Sequence, residues 1–357
     1  MTTFTKHLTW RWCFWIKLPI GLVVIVALAF VLRARKLKNS PSAEKELPFI
    51  TKIKSMDWLG ALLFVGATTC LLLALQPGGQ TKPCNCPDVV GCFVGAGTIF
   101  ALFIVWQLRR EDLALIPPRI LRKRSIWAGS GVLFFLGAQS YIDGFYLPFW
   151  FQTVKGLDPI ATGVAFTAFT VPQIVALITV GALVKKYGHH VNYMVIGEMI
   201  CIVGQTKLTE LQTSSSTVHR AAFLALTSFG SGMAMLLPYT ALALVLSDKD
   251  IPVGNAVAVL SYQLGGAIAI SLGQTVTLST LLELVPQRLP GISPQAVVAM
   301  GAANLSALAS SPEDLDALKD IWNTSITRAL GLGFGAVMIA LCFAPLMEWL
   351  NDIKVAE

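Results

Sequence analysis

Charge is what this sequence has least of. Only 13% of its 357 residues are Asp, Glu, Lys or Arg, against about 25% in an ordinary soluble protein. A water-soluble fold of this length is thereby excluded. Cysteine is scarce and scattered: Cys13, Cys70, Cys92, Cys201 and Cys342 lie in apolar segments, where they read as small apolar fillers. Cys84 and Cys86 have a C-x-C spacing, but no further Cys or His pair nearby completes a set of four metal ligands. No disulfide framework and no metal centre are expected. The sequence also lacks a G-x-x-x-x-G-K-[ST] phosphate loop, an H-E-x-x-H pair and a G-x-S-x-G turn, so ATP hydrolysis and the common hydrolase chemistries have no basis here. No cofactor is implied.

What is abundant is hydrocarbon. Apolar residues make up 55% of the chain and the mean hydropathy is +0.67. They gather into runs approaching the roughly 20 residues that cross a hydrocarbon layer about 30 Å thick. Nine spans are predicted, at 14–32, 57–76, 88–107, 126–150, 160–184, 191–206, 221–246, 254–282 and 326–349. Runs this long and uniformly apolar suit helices, not the alternating strands of a membrane barrel. The expected fold class is therefore all-α, a polytopic membrane protein embedded in the lipid bilayer.

The net charge of +7 would suit nucleic acid if it were clustered on one surface. Instead, the basic residues fall between the apolar runs, and no nucleic-acid partner is expected. Residues 33–56 hold Arg33, Arg35, Lys36, Lys38, Lys45, Lys52 and Lys54, and residues 108–125 hold Arg109, Arg110, Arg119, Arg122, Lys123 and Arg124. With Lys185, Lys186, Lys249 and Lys354 they make 17 on one side, against eight on the other (Lys6, Arg11, Lys82, Lys155, Lys207, Arg220, Arg288 and Lys319). The richer side is expected to face the cytoplasm. That orientation starts the chain outside, although residues 1–13 contain no cleavable signal peptide. It also places two glycosylation acceptor triplets, at Asn304 and Asn323, in the longest outer loop, 283–325.

The stretch Thr9-Trp-Arg-Trp-Cys-Phe-Trp-Ile-Lys-Leu-Pro-Ile-Gly21 resembles the W-R-W-x-F-x-I-N-x-P-x-G segment leading into the sixth helix of fourteen-helix drug:proton antiporters of the major facilitator superfamily, fungal multidrug and toxin efflux pumps in particular. Similar matches occur at Asp57-Trp-Leu-Gly60, at Ile116-Pro-Pro-Arg-Ile-Leu121, at Tyr146–Gly156 and at Tyr262-Gln-Leu-Gly-Gly-Ala267. The resemblance covers essentially the whole chain and implies the family's helices six to fourteen, without the first five. Residues 1–32 are then the last helix of an N-terminal bundle and 33–56 a cytoplasmic basic loop. Residues 57–107 form two central extra helices, 108–125 a second basic loop, 126–349 a C-terminal six-helix bundle and 350–357 a cytoplasmic tail. Lys17 stands where the family usually has Asn.

Intramembrane ionisable groups are the sharpest functional signal, because a charge at mid-bilayer costs at least a few kcal/mol. Asp143 and Glu198 qualify. Asp143 shares a helical face with Gln139, Tyr146 and Trp150 at i−4, i+3 and i+7, combining a titratable carboxyl with groups suited to an amphipathic cargo. A structural role, hydrogen bonding a neighbour, remains the alternative. Gln173 and Gln263 are neutral polar groups within spans, open to a cavity role or to interhelical hydrogen bonding. Gly265, Ala269 and Gly273 recur every four residues and clear a helix face for close backbone approach. Gly181-Ala-Leu-Val-Lys185-Lys186-Tyr-Gly188 resembles the second-half copy of the family's cytoplasmic gating loop; an ordinary positive-inside loop is the other reading.

The resemblance implies a secondary transporter and not an enzyme: an efflux carrier exchanging protons for a drug, toxin or secondary metabolite. The partners it implies are protons, an amphipathic small molecule and the bilayer, with no oligomeric state specified. The plasma membrane is the expected location, with a vacuolar or vesicle membrane as the alternative. A small-solute facilitator of the same fold and an inactive membrane fragment or scaffold are the rival readings.

Overall fold

The computed structural model describes residues 11, 15–38, 56–75, 86–300, 305, 309 and 311–349. Every regular element among these residues is a helix, in keeping with a chain whose backbone groups must pair locally where lipid offers no partner. The helices are α1 (Lys17–Lys38), α2 (Trp58–Leu75), α3 (Pro87–Arg110), α4 (Pro118–Leu121), α5 (Arg124–Thr153), α6 (Pro159–Tyr187), α7 (His190–Thr209), α8 (Thr217–Met235), α9 (Leu237–Val245), α10 (Ile251–Arg288), α11 (Pro294–Met300) and α12 (Pro312–Phe343). Each of the nine expected spans coincides with a helix, α8 and α9 together making one rod. Six of these rods are long and apolar enough to cross a membrane by length and composition alone.

Local sequence explains the ends. Asp158 caps α6, its Oδ1 accepting the Ala161 N–H at 2.8 Å ahead of Pro159. Ser311 caps α12 in the same way, accepting from Asp314 at 3.1 Å, with Pro312 next and Glu313 and Asp314 in the first turn. The α8–α9 rod breaks at Leu236, where Pro238 has no N–H to continue the ladder.

Helices α5 to α10 and α12 form one bundle in which α5 is central, packed on α10 and α12, while α7 packs on α8 and α12, and α6 on α8. Backbone crowding sets the α5–α10 contact. A Cβ on Gly137 would lie 2.1 Å from the Tyr262 carbonyl oxygen, and one on Gly265 would lie 1.9 Å from that of Phe134. Gly273 gives the same clearance to the Tyr146 ring, so the small-residue row does face α5. Helices α2 and α3 form a hairpin beside the bundle, and α2 reaches α10 where Thr275 Oγ1 donates to the Leu75 carbonyl at 3.2 Å. Helix α1 exposes Leu18, Ile20, Leu22, Ile25 and Phe30, apolar around its circumference.

One carboxylate ties α2 to α3 and to the segment that follows α3. Asp57 accepts the Gly60 N–H at 2.9 Å, the Trp106 Nε1–H at 2.8 Å, the Gln107 Nε2–H at 3.1 Å and the Leu115 N–H at 3.2 Å. Gln107 Oε1 in turn accepts the Ile116 N–H. Nearby, Arg119 forms a two-pronged ion pair with Asp250 at 3.1 and 2.9 Å, and Lys123 donates to the Val245 carbonyl. These contacts gather the ends of α2, α3, α5, α9 and α10 at one face of the protein. Lys155, Leu211, Arg288 and Asp320 lie at the other.

Several boundaries move. Helix α1 runs to Lys38, so the start of the expected loop 33–56 is helical; residues 39–55 and the tail 350–357 lie outside the described residues. The expected outer loop 283–325 is helical at both ends, since α10 continues to Arg288 and α12 begins at Pro312. Acidic residues 313–320 read as loop because they are polar, yet they are the first turns of a well-capped helix.

Candidate functional site

The two faces of α5 do different things. Its inward face carries Gln139, Asp143, Tyr146 and Trp150, all buried within the bundle. Gln139 Nε2 donates to Asp143 Oδ2 at 2.5 Å, and Gln205 Nε2 on α7 donates to Oδ1 at 2.9 Å. Gly333 on α12 leaves the room: a Cβ there would sit 2.9 Å from Gln205 Nε2. The carboxyl thus takes one amide proton on each oxygen, between three helices. Further along this face, Trp150 Nε1 donates to Asn323 Oδ1 at 2.7 Å.

The opposite face of α5 lines an open cavity of about 550 Å³. Ser140, Tyr141 and Phe145 face Thr170 and Gln173 of α6 and Tyr262 of α10 across it. The Tyr141 and Tyr262 rings meet edge to face at 5.9 Å, and the Tyr141 hydroxyl donates to Gln263 Oε1. Gly266 lets the Tyr141 ring lie against α10, because a Cβ there would come within 2.5 Å of it. The wall is aromatic and aliphatic with a few hydroxyl and amide groups, a composition suited to a ligand that is mostly apolar with a few polar atoms.

The residues expected to form one site are therefore split. Gln173 lines the cavity, and Gln263 is exposed beside it. Asp143, Gln139, Tyr146 and Trp150 do share a face, as their spacing requires, but that face is directed into the bundle. One hydrogen bond joins the two faces: Ser140 Oγ donates to Gln139 Oε1 at 3.4 Å, and Gln139 passes its own N–H to Asp143. Glu198 is buried on α7, one and two turns before Cys201 and Gln205, with neither oxygen hydrogen bonded among the described residues. Sequence reasoning missed Ser140, Tyr141, Tyr262 and Gln205. Gln205 lies seven residues after Glu198 on the same face, which is the signal that could have found it.

Most residues of the expected gating loop lie in a helix. Gly181, Lys185 and Lys186 belong to the last turns of α6, which ends only at Tyr187. The turn itself is two residues long. Gly188 has φ +67 and donates to the Val184 carbonyl at 2.8 Å, and His189 follows with φ +63 before α7 starts at His190. Of the acceptor triplets, Asn304 lies outside the described residues. Asn323 is in α12 and not in a loop; it is buried, with its Nδ2 donating to the Leu211 carbonyl at 3.0 Å.

Charges at the helix ends are tuned by their contacts. Burial pushes the Asp57 carboxyl up, but the hydrogen bonds from Trp106, Gly60, Leu115 and Gln107 together outweigh it and hold it below its ordinary value. Asp250 is likewise held down, chiefly by the Arg119 hydrogen bonds. Lys155 is lowered by burial and then by the neighbouring Arg220. These two cations lie over the Trp150 ring, at 5.7 and 5.5 Å from its centre.

A sequence model of the Major Facilitator Superfamily matches residues 1–270. The chain is 31% identical over 346 residues to "MFS-type efflux pump MFS1" of Arthroderma benhamiae, covering 97% of this chain and 64% of that one. It is 31% identical over 350 residues to "Efflux pump roqT" of Penicillium rubens, covering 97% and 63%. A solved bacterial homolog of the human lysosomal transporter Spinster, inward-facing and unoccupied, aligns with a TM-score of 0.49 at 11% identity over 73% of this chain and 59% of that one. The chain thus spans less than two thirds of the length of the relatives it matches.

Proposed function

Because this multi-pass membrane chain belongs to the Major Facilitator Superfamily, we propose that it supplies helices six to fourteen of an efflux carrier that exports an amphipathic organic compound in exchange for protons. The observation that carries the reading is the cavity between α5, α6 and α10: Tyr141, Phe145 and Tyr262 offer flat apolar surface, and Gln173, Ser140 and Thr170 offer hydrogen bonds. Relatives named efflux pumps match over nearly all of this chain. The cargo is a drug, toxin or secondary metabolite of that polarity.

Asp143 is the proton site of this proposal. It stands behind the cavity wall, reached from Ser140 through Gln139. Loading a proton there and loading cargo on the wall then compete through the same helix, which is the reciprocal coupling exchange requires. The face carrying Arg109, Arg119 and Arg122 is cytoplasmic, and the membrane is the plasma membrane.

The test joins this chain behind the first five helices of the Arthroderma benhamiae pump and measures proton-gradient-driven movement of a fluorescent amphipathic dye in sealed vesicles. Efflux that needs the gradient, and that Asp143→Asn uncouples from it without loss of insertion, is the expected result. Gradient-independent movement in the parent would assign a facilitator instead, and unchanged coupling in Asp143→Asn would remove Asp143 from the proton path.

A further inference from the structure

A second cavity, of about 440 Å³, lies between the α2–α3 hairpin and the α5–α10 side of the bundle. It shares no lining residue with the cavity of Tyr141 and Tyr262. Phe64, Phe100, Phe134 and Leu264 are among its apolar lining, and Leu108 and Leu121 line it near the ends of α3 and α4. Its polar side chains ask nothing of an occupant. The Gln107 amide is used at both ends, by Asp57 and Ile116, and Ser261 Oγ donates to the Val257 carbonyl at 2.9 Å. An occupant of this space is hydrocarbon.

Its dimensions narrow the class. Lining on α3 extends from Phe100 to Leu108 and on α10 from Val257 to Leu264, which is about 12 Å and about 10 Å of helix at a rise of about 1.5 Å per residue. That is most of one leaflet of a hydrocarbon core about 30 Å thick. At the shallow end the charge is basic. Leu108 and Leu121 are followed by the exposed Arg109 and Arg122, and Arg110 lies over the Trp106 ring at 5.1 Å. Two carboxylates there are engaged: Asp57 by four N–H donors, Asp250 by Arg119 and Ser247. Glu111, Asp248 and Glu348 are further carboxylates described on this face, against Arg109, Arg110, Arg122, Lys123, Arg124 and Lys249.

We propose that this cavity holds one acyl chain of an anionic phospholipid, with the headgroup met by Arg109, Arg110 and Arg122. Basic side chains beside a membrane surface favour anionic over zwitterionic lipid, and an acyl chain inserted between hairpin and bundle fills space that would otherwise separate them. The site stands independently of the cargo reading, since it requires only that the chain is in a membrane.

The test uses the full chain in nanodiscs with phosphatidylserine or phosphatidylcholine carrying a photoactivatable group near the acyl terminus, the crosslinks being mapped by mass spectrometry. Severalfold stronger crosslinking of phosphatidylserine than of phosphatidylcholine at Phe100, Phe134 and Leu264 is expected. Arg109→Gln with Arg122→Gln, both exposed and tolerable to folding, should bring the two lipids to the same level, and Leu264→Trp should block both. Equal crosslinking of the two lipids in the parent chain, or crosslinks confined to other lipid-facing residues, would overturn the proposal.

Discussion

Trp150 on α5 gives its indole N–H to Asn323 on α12, and the amide of Asn323 continues to the Leu211 carbonyl beyond the end of α7. Two helices and the segment that follows α7 are tied by one side chain. Each polar atom in this chain of bonds is buried, so removing Asn323 leaves the indole N–H without a partner.

Asn323→Ala is expected to cost about 1–3 kcal/mol, the penalty for stranding a buried donor, read as a lowered thermal midpoint of the purified chain in detergent. The same burial predicts that Asn323 carries no glycan: endoglycosidase treatment should change the mobility of the parent and of Asn323→Gln equally.

Asp57 predicts a pH signature. Its carboxyl is held below the ordinary aspartate value of 3.8, so its contribution is complete above that value and is lost as pH falls through its own lower one. Hydrogen exchange of residues 56–75 should be faster in Asp57→Asn than in the parent. That difference should stay constant from neutrality down to about 3.8 and shrink only below it. A difference already fading near pH 6 would mean that the carboxylate is not held this way.

At the α5–α10 crossing, Gly265→Ala or Gly137→Ala forces two backbones apart. Overpacking of this kind typically costs about 1–3 kcal/mol, and here the obstacle is a carbonyl and not a flexible side chain. A reduced folded fraction by size exclusion is expected for both, whereas Gly144→Ala, whose Cβ would meet nothing within 4 Å, should behave as the parent does.

Glu198 provides a contrast with Asp57. Its oxygens are buried and accept no hydrogen bond among the described residues, and an uncompensated buried carboxylate is costly. Glu198→Gln should therefore leave the thermal midpoint unchanged or raise it. A marked loss would show that Glu198 has a stabilising partner.

The helices were legible because hydrocarbon thickness fixes the length of an apolar run, and the Asp57-Trp-Leu-Gly60 resemblance marked the residue that locks α2 to its surroundings. The direction of a face was not legible. A spacing of i−4, i+3 and i+7 places Gln139, Asp143, Tyr146 and Trp150 together, but periodicity cannot say whether that stripe meets a cavity or the interior of the bundle. In lipid the ambiguity is greater, because the interior of a bundle can be as polar as a cavity wall. The true wall, Ser140 and Tyr141, is next to this stripe in sequence and reads as unremarkable small and aromatic residues. Residues 312–325 misled in the opposite way. Their charges suggested a loop, while Ser311 and Pro312 carried a helix-start signal that the hydropathy overrode.

The central claim, that the cavity between α5, α6 and α10 is the cargo site, is tested most directly by dye binding to the purified chain in nanodiscs. A fluorescent amphipathic dye should bind saturably, and Tyr262→Ala with Gln173→Ala should weaken it about tenfold, the equivalent of about 1.4 kcal/mol. An affinity unchanged by these substitutions, in a variant that retains the parent's thermal midpoint, would contradict the account.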